Sequence, residues 1–141
     1  PRLLARRSAP CYCPPLPGLP PLDLLIAEAS RCIRAHFPTN SMLPHRCLEL
    51  LTMLREDMAH IGAEDIHQLQ RTWELHHRLL ASESVTHHTL FRQETRWPGY
   101  YYRGDHMKLD DQDWHCFTLS QFDQNSGKWN MEKAPVHHII D

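Results

Sequence analysis

The chain has 141 residues and a formal charge of -2, from 15 lysines plus arginines against 17 aspartates plus glutamates. That length suits one domain with a single core, and so balanced a charge offers no field to attract nucleic acid or an anionic membrane. No apolar run approaches the roughly 18 residues of a spanning helix, and the start lacks the continuous apolar stretch of a signal peptide, so a soluble, cytoplasmic chain is expected.

Residues 1–21 carry Pro10, Pro14, Pro15, Pro17, Pro20 and Pro21 behind Arg2, Arg6 and Arg7. Prolines remove backbone donors and favour extended chain, so this stretch reads as a disordered leader, with a polyproline ligand for a partner domain as the alternative. The first residue is Pro1 rather than Met, and a fragment or processed product is expected. Residues 22–141 form the second unit, a helical domain.

Its first helix is expected from Leu22 to Phe37, where Leu22, Leu25, Ile26, Ala29, Cys32, Ile33 and Phe37 recur at spacings of three and four behind a capping Asp23. Pro38 ends it. Thr39, Asn40 or Ser41 can cap a second helix, with Pro44 tolerated in the first turn. Leu43, Cys47, Leu50, Leu51, Leu54, Met58 and Ile61 make its apolar face, and Gly62 is the expected stop. Asp65 can cap a third, longer helix from about Ile66 to Phe91, with a face of Ile66, Leu69, Trp73, His76, Leu80, Glu83, His87 and Leu90, widened by Leu75 and Leu79. Short connections make the three helices antiparallel neighbours in a bundle.

Glu94 to Trp114 reads ETRWPGYYYRGDHMKLDDQDW and has neither helical nor strand periodicity. It holds two Trp, three consecutive Tyr, two Arg and four Asp around a Pro-Gly step, a combination that needs partners elsewhere to become ordered. Asp110 or Asp111 can cap a short turn into Trp114. Beyond it, Trp114–Phe122 and Lys128–Lys133 alternate on either side of DQNSG, a hairpin with Gly127 in the turn. The tail PVHHIID is expected to run extended and to pack Ile139 and Ile140 on the body. The fold class is thus mainly α: a three-helix bundle, an irregular aromatic segment and a C-terminal β-hairpin.

Twelve histidines raise a metal hypothesis. His76 and His87 share a helical face but lie three turns apart, and the pairs His76-His77, His87-His88 and His137-His138 point their members apart. No H-E-x-x-H or His-x3-His spacing occurs, so ordinary hydrogen-bonding histidines are the simpler reading. Cys11, Cys13, Cys32, Cys47 and Cys116 are odd in number without a C-x-x-C pair, which fits free thiols in a reducing compartment. Asp105, Asp110, Asp111 and Asp113 lack the dry cleft that sets acid and base apart, and no phosphate-binding loop or nucleophile elbow is present. No catalytic, cofactor-binding or metal residue is assigned.

The run FRQETRWPGYYYRGDHMKLDDQDWHCFTLSQFD, followed by GKWNMEKAPVHHIID, resembles the carboxyl end of the alpha (flavoprotein) subunits of dissimilatory adenylylsulfate reductases. Upstream, TNSMLPHRCLELLTMLREDMAHIGAEDIHQLQRTWELHHRLLASES resembles the helical part before it. The likeness covers roughly residues 36–141, more weakly from 22, and leaves out the Pro-rich leader. A broader layer is similar to succinate dehydrogenase and fumarate reductase flavoproteins, whose helical C-terminal domains carry Glu-Ser-Arg, a Gly-Ala-His step, Arg, an acid and Asp-Asp-x-x-Trp. Glu94, Thr95, Arg96, Arg103, Asp105, Asp110, Asp111 and Trp114 match that frame, but Trp97 to Tyr102 replaces the Gly-Ala-His step and is two residues longer, which favours the adenylylsulfate reductase branch.

This resemblance implies a parent oxidoreductase of sulfur metabolism that interconverts adenylylsulfate with sulfite and AMP. It implies FAD in the parent, and a beta subunit with two 4Fe-4S clusters as partner. The FAD and capping domains of such parents lie upstream, so this chain alone is expected to bind no flavin and to catalyse nothing. Its role would be to brace the FAD domain and contact the iron-sulfur subunit. Aromatic and Arg side chains are typical interface anchors, which makes Arg96, Trp97, Tyr100, Tyr101, Tyr102 and Arg103 candidate interface residues, with packing inside the domain as the alternative for each. The competing function is an independent small helical interaction module whose leader recruits a partner.

Overall fold

The computed structural model describes residues 21–34, 41–96 and 102–137. The expected leader, the end of the first helix, Pro38, Trp97, Tyr100, Tyr101, Ile139 and Ile140 lie outside the described residues. Within them, α1 (Leu22–Arg34), α2 (Met42–Met58) and α3 (Ile66–Phe91) are followed by a one-turn α4 (Asp111–Trp114), then β1 (Cys116–Asp123) and β2 (Lys128–Pro135).

The core sits between the three long helices. Leu25 and Ala29 from α1, Cys47, Leu51, Leu54 and Met58 from α2, and Leu75 and Leu79 from α3 bury together with Ile61. Each full burial of a Leu is worth about 1.5–3 kcal/mol. Ala29 of α1 and Leu75 of α3 have no exposed surface. Arg55 of α2 reaches Glu83 of α3 with a two-pronged ion pair, one arm at 3.0 Å.

Helix α3 starts where its cap was expected: the Asp65 carboxylate accepts from Gln68 N–H at 2.7 Å. Its buried face is the expected one only in part: Leu75, Leu79 and Glu83 are buried as expected, but the face is turned toward a stripe of hydroxyl residues. Ile66 is 76% exposed and Trp73 38%, while Thr72, Leu75, Leu79, Ser82, Glu83, Thr86 and Thr89 are buried. Four of these are hydroxyl side chains, and each donates to the carbonyl four residues back, at 2.6–2.9 Å. A polar stripe can be buried when the helix satisfies it internally, and reading polar as outward misplaces the face.

Two details of α2 also depart from expectation. The helix ends at Met58 with Ala59 as its cap, not at Gly62, because Ile61 and Ala63 leave the helical path to enter the interior. Leu43 and Leu50 are exposed, since α1 and α3 cover only the stripe through Cys47, Leu51, Leu54 and Met58. Among the described residues no helix is long and apolar enough to cross a membrane.

The hairpin pairs Cys116 with Pro135 through to Asp123 with Lys128. Gly127 takes φ 68 in the turn, a left-handed conformation that favours glycine, and donates to Asp123 O at 2.8 Å. The Asp123 carboxylate ties the turn by accepting from Asn125 N–H and Ser126 Oγ. Thr118, Ser120 and Trp129 face α3, and Phe117 and Leu119 point to the exposed side.

Candidate structural site at the end of α3

In the described parts of segment 92–114 the side-chain contacts are mostly ionic and hydrogen-bonded. Glu94 has no exposed surface. Its carboxylate takes the Arg96 fork on both oxygens, at 2.7 and 3.0 Å, a second ion pair from Arg92, and the Asp110 N–H at 3.1 Å. Arg96 continues to Asp111 at 2.7 Å. Arg92 donates to Trp114 O and Cys116 O, at 3.2 and 2.9 Å. One acid therefore binds the exit of α3, the start of α4 and, through Arg92, the first residue of β1.

Thr95 is the second junction. Its hydroxyl accepts from Arg103 N–H at 2.9 Å and donates to His106 O at 2.7 Å, while its N–H reaches Lys108 O at 3.2 Å. Arg103, 1% exposed, crosses beneath. Its Nη1 donates to Thr89 O and to Arg92 O, the latter at 2.9 Å, where the end of α3 has carbonyls without helical partners. Its remaining donors grip the Asp105 carboxylate at 2.9 and 2.8 Å.

Asp105 in turn accepts from Ser41 N–H at 3.0 Å. Helix α2 has no acid in its first turn and no side-chain cap from Ser41, so the carboxylate arrives from 64 residues away. A single Arg-Asp pair thus places positive charge at the C-terminus of α3 and negative charge at the N-terminus of α2, the favourable sign at both.

These contacts decide the charge states. Burial would raise the Glu94 pKa, but the Arg96 fork, the Asp110 amide and the charges of Arg96 and Arg92 together outweigh it and bring it below the ordinary carboxylate value. The Arg103 fork holds Asp105 far below that value, against a partial opposing effect of burial and with help from the Ser41 amide. Hydrogen bonds to Glu94 and Asp111 raise Arg96. Every one of these groups is charged at neutral pH.

Asp110 caps α4, accepting from Asp113 N–H at 3.1 Å, as one of the two expected caps. The turn seats Trp114, buried against the edge of Phe91 at 5.7 Å. Lys133 Nζ lies 3.6 Å above the Trp114 ring and donates to Asp113 O at 2.9 Å.

Of the candidate interface residues, Arg96 and Tyr102 are half-buried and Arg103 is buried with its side chain turned inward. Trp97, Tyr100 and Tyr101 belong to the strand of sequence between Arg96 and Tyr102, outside the described residues. Residue-type reasoning passed over Glu94, Thr95 and Arg92 as the junctions. The resemblance to the flavoprotein frame marked Glu94 and Thr95 without giving them this role, and for Arg92 the local signal was Arg92-x-Glu94-x-Arg96, an acid flanked by two bases beside a helix end.

The arrangement neutralises itself. The guanidiniums an anionic cofactor would use are already bound to carboxylates and carbonyls, so these residues do not fit a flavin pyrophosphate. Among the described residues no group of three or more His, Cys, Asp or Glu is placed to hold a metal ion.

Comparison with known proteins agrees with this geometry. Residues 38–139 match the family described as fumarate reductase flavoprotein C-term. Over 108 residues the chain is 37% identical to adenylylsulfate reductase subunit alpha of Megalodesulfovibrio gigas, an alignment that takes in 77% of this chain and 16% of that protein. It superposes with a TM-score of 0.83, at 37% identity, on adenylylsulfate reductase from the hyperthermophilic Archaeoglobus fulgidus and on an adenosine-5-phosphosulfate reductase in complex with sulfite as a covalent adduct, covering 89% of this chain and 21% of each solved chain. With FrdA of E. coli quinol fumarate reductase the TM-score is 0.73 at 19% identity, over 86% of this chain and 22% of that one, a likeness of fold alone. The chain therefore spans between 16% and 22% of the length of these proteins.

Proposed function

Since the chain belongs to the fumarate reductase flavoprotein C-terminal family, we propose that it serves as the C-terminal helical domain of an adenylylsulfate reductase alpha subunit. The parent interconverts adenylylsulfate with sulfite and AMP in the cytoplasm, with FAD bound by upstream domains and electrons exchanged with an iron-sulfur subunit carrying 4Fe-4S clusters. The domain braces the FAD domain. Arg96, Trp97, Tyr100, Tyr101, Tyr102 and Arg103 form or support its contact with the neighbouring domains and the iron-sulfur subunit.

The observation that carries this reading is the Glu94-centred network. It uses the residues that match the flavoprotein frame to join helix ends, and it fixes Arg96 and Arg103, which flank the aromatic run in the sequence. Fixed flanking residues suit an interface, because they leave less ordering cost for the moment of contact.

The test is a chimera in which this chain replaces its matching part of the M. gigas alpha subunit, co-produced with that enzyme's iron-sulfur partner. The chimera should retain FAD and reduce adenylylsulfate, and the isolated 141-residue chain should do neither. A folded chimera that fails to hold FAD, or an isolated chain that binds it stoichiometrically, would overturn the proposal. Alanine at Trp97 or Tyr100 should weaken subunit association while the chimera's flavin content stays the same.

A further inference from the structure

We propose that the leader of this same chain, from Pro14 to Pro20, lies as a polyproline II helix on the outward side of α3, seated on Trp73. Two features of the chain have no part in the bundle: the run CPPLPGLPP ahead of α1, and the apolar side of α3 that its neighbours leave open. Along that side Ile66, Leu69, Trp73, His76 and Leu80 recur at spacings of three and four. Ile66 and Trp73 are exposed, and Leu69, His76 and Leu80 are half-buried.

This side is not composed like a water-facing surface. Between Ile66 and Leu80 the charged residues are Arg71, Glu74 and Arg78, and at about 100° per residue all of them turn away from the stripe. Arg71 pairs with Asp23 and Arg78 donates to Ser30 Oγ at 3.2 Å, both on α1. Glu74 accepts from Gln70 at 3.4 Å. A helix face open to water normally carries charge, whereas this one carries Trp73, whose ring meets those of His76 and His77 at centroid distances of 5.9 and 5.8 Å. Further along, the same side is covered: His87 stacks on Trp129 at 5.3 Å and Phe91 meets Trp114 at 5.7 Å. The hairpin thus lays extended chain on the last turns of the stripe, and its first turns continue that interface.

The leader is delivered to the open part. Pro21 O accepts from Leu24 N–H at 2.9 Å at the start of α1, and Asp23 binds Arg71, two residues from both Leu69 and Trp73. Two residues of helix rise about 3 Å, so the chain upstream of Pro21 leaves the bundle at the axial level of Trp73. Pro14 to Pro20 in polyproline II spans about 20 Å, enough to round a helix about 10–12 Å across. With three residues per turn, Pro14, Pro17 and Pro20 align on one edge and Leu16 and Leu19 on the next. Such a helix is ordered before contact, packs its rings on aromatic side chains and leaves its carbonyls open to donors such as the Trp73 indole N–H. The short tether sets a local concentration on the order of millimolar, so a weak contact suffices.

The test uses the full 141-residue chain at low and high protein concentration. Nuclear Overhauser contacts of the Trp73 indole, assigned through Trp73→Phe, should include ring protons of Pro14, Pro17 or Pro20 and be the same at both concentrations. A Pro14→Ser/Pro17→Ser/Pro20→Ser triple variant should lose them and exchange its Trp73 indole N–H faster, while backbone amides of α1 to α3 keep their protection. Trp73→Ala, which leaves Leu75 and Leu79 in place, should raise the mobility of the Leu16 and Leu19 methyls. If a variant unfolds, the wild-type indole contacts and methyl mobility decide by themselves. The proposal is overturned if the Trp73 indole touches no leader proton, if its contacts grow with concentration, as those to a second copy do, or if they persist in the triple variant.

Discussion

The two ends of this domain are stabilised by different physics. The bundle of α1, α2 and α3 closes over Leu25, Leu51, Leu54, Leu75 and Leu79, where transfer out of water is non-directional and roughly proportional to area. The segment beyond α3 is closed by Glu94, Thr95, Arg96, Arg103 and Asp105, where each contact has a fixed donor, acceptor and angle. The first kind of order tolerates exchange among similar side chains. The second fails when a single partner is removed.

The largest effect is expected from Glu94→Ala. It leaves Arg92 and Arg96 half-buried without their shared acid, and breaking a buried pair costs about 3–5 kcal/mol. Urea unfolding should show that loss, and Glu94→Gln should recover only a minor part. Leu75→Ala, at the centre of the bundle, should cost about 2–5 kcal/mol, whereas Leu75→Met should cost under about 1.5 kcal/mol. If the conservative change at position 94 were tolerated as well as the one at position 75, the contrast between the two ends would disappear.

Acid should separate the ends next. The folded pKa values of Glu94 and Asp105 lie below their ordinary values of 4.5 and 3.8. Their contribution is therefore complete above about pH 5 and is lost as pH falls through the lowered values. Unfolding free energy measured from pH 7 to pH 3 should decline in the wild type and more shallowly in Glu94→Gln, while Leu75→Ala should run parallel to the wild type. The smallest effect belongs to Arg71→Ala. The Asp23–Arg71 pair between α1 and α3 is exposed, with Asp23 at 76%, and such pairs are worth about 0–1 kcal/mol.

The same contrast explains what could be read from the residues. Asp65 as a cap, the span Ile66–Phe91, the turn capped by Asp110 and the hairpin around Gly127 were all legible, because caps, periodicity and turn glycines act over a few residues. The buried Thr72, Ser82, Thr86 and Thr89 stripe was not, since its hydroxyls are satisfied inside the helix. Nor was the Asp105 cap on Ser41, which joins positions 64 residues apart. Arg96 and Arg103 stood out by residue type and their acids by the family resemblance, but which acid each would bind was visible only once the chain had folded.

The central claim is that the Glu94 network shapes the domain and takes no part in chemistry. It is tested most directly by introducing Glu94→Gln into the chimeric alpha subunit and measuring flavin occupancy, melting temperature and turnover per bound flavin. The account predicts lower occupancy and a lower melting temperature with turnover per flavin unchanged. A collapse of turnover per flavin at unchanged occupancy and melting temperature would contradict it.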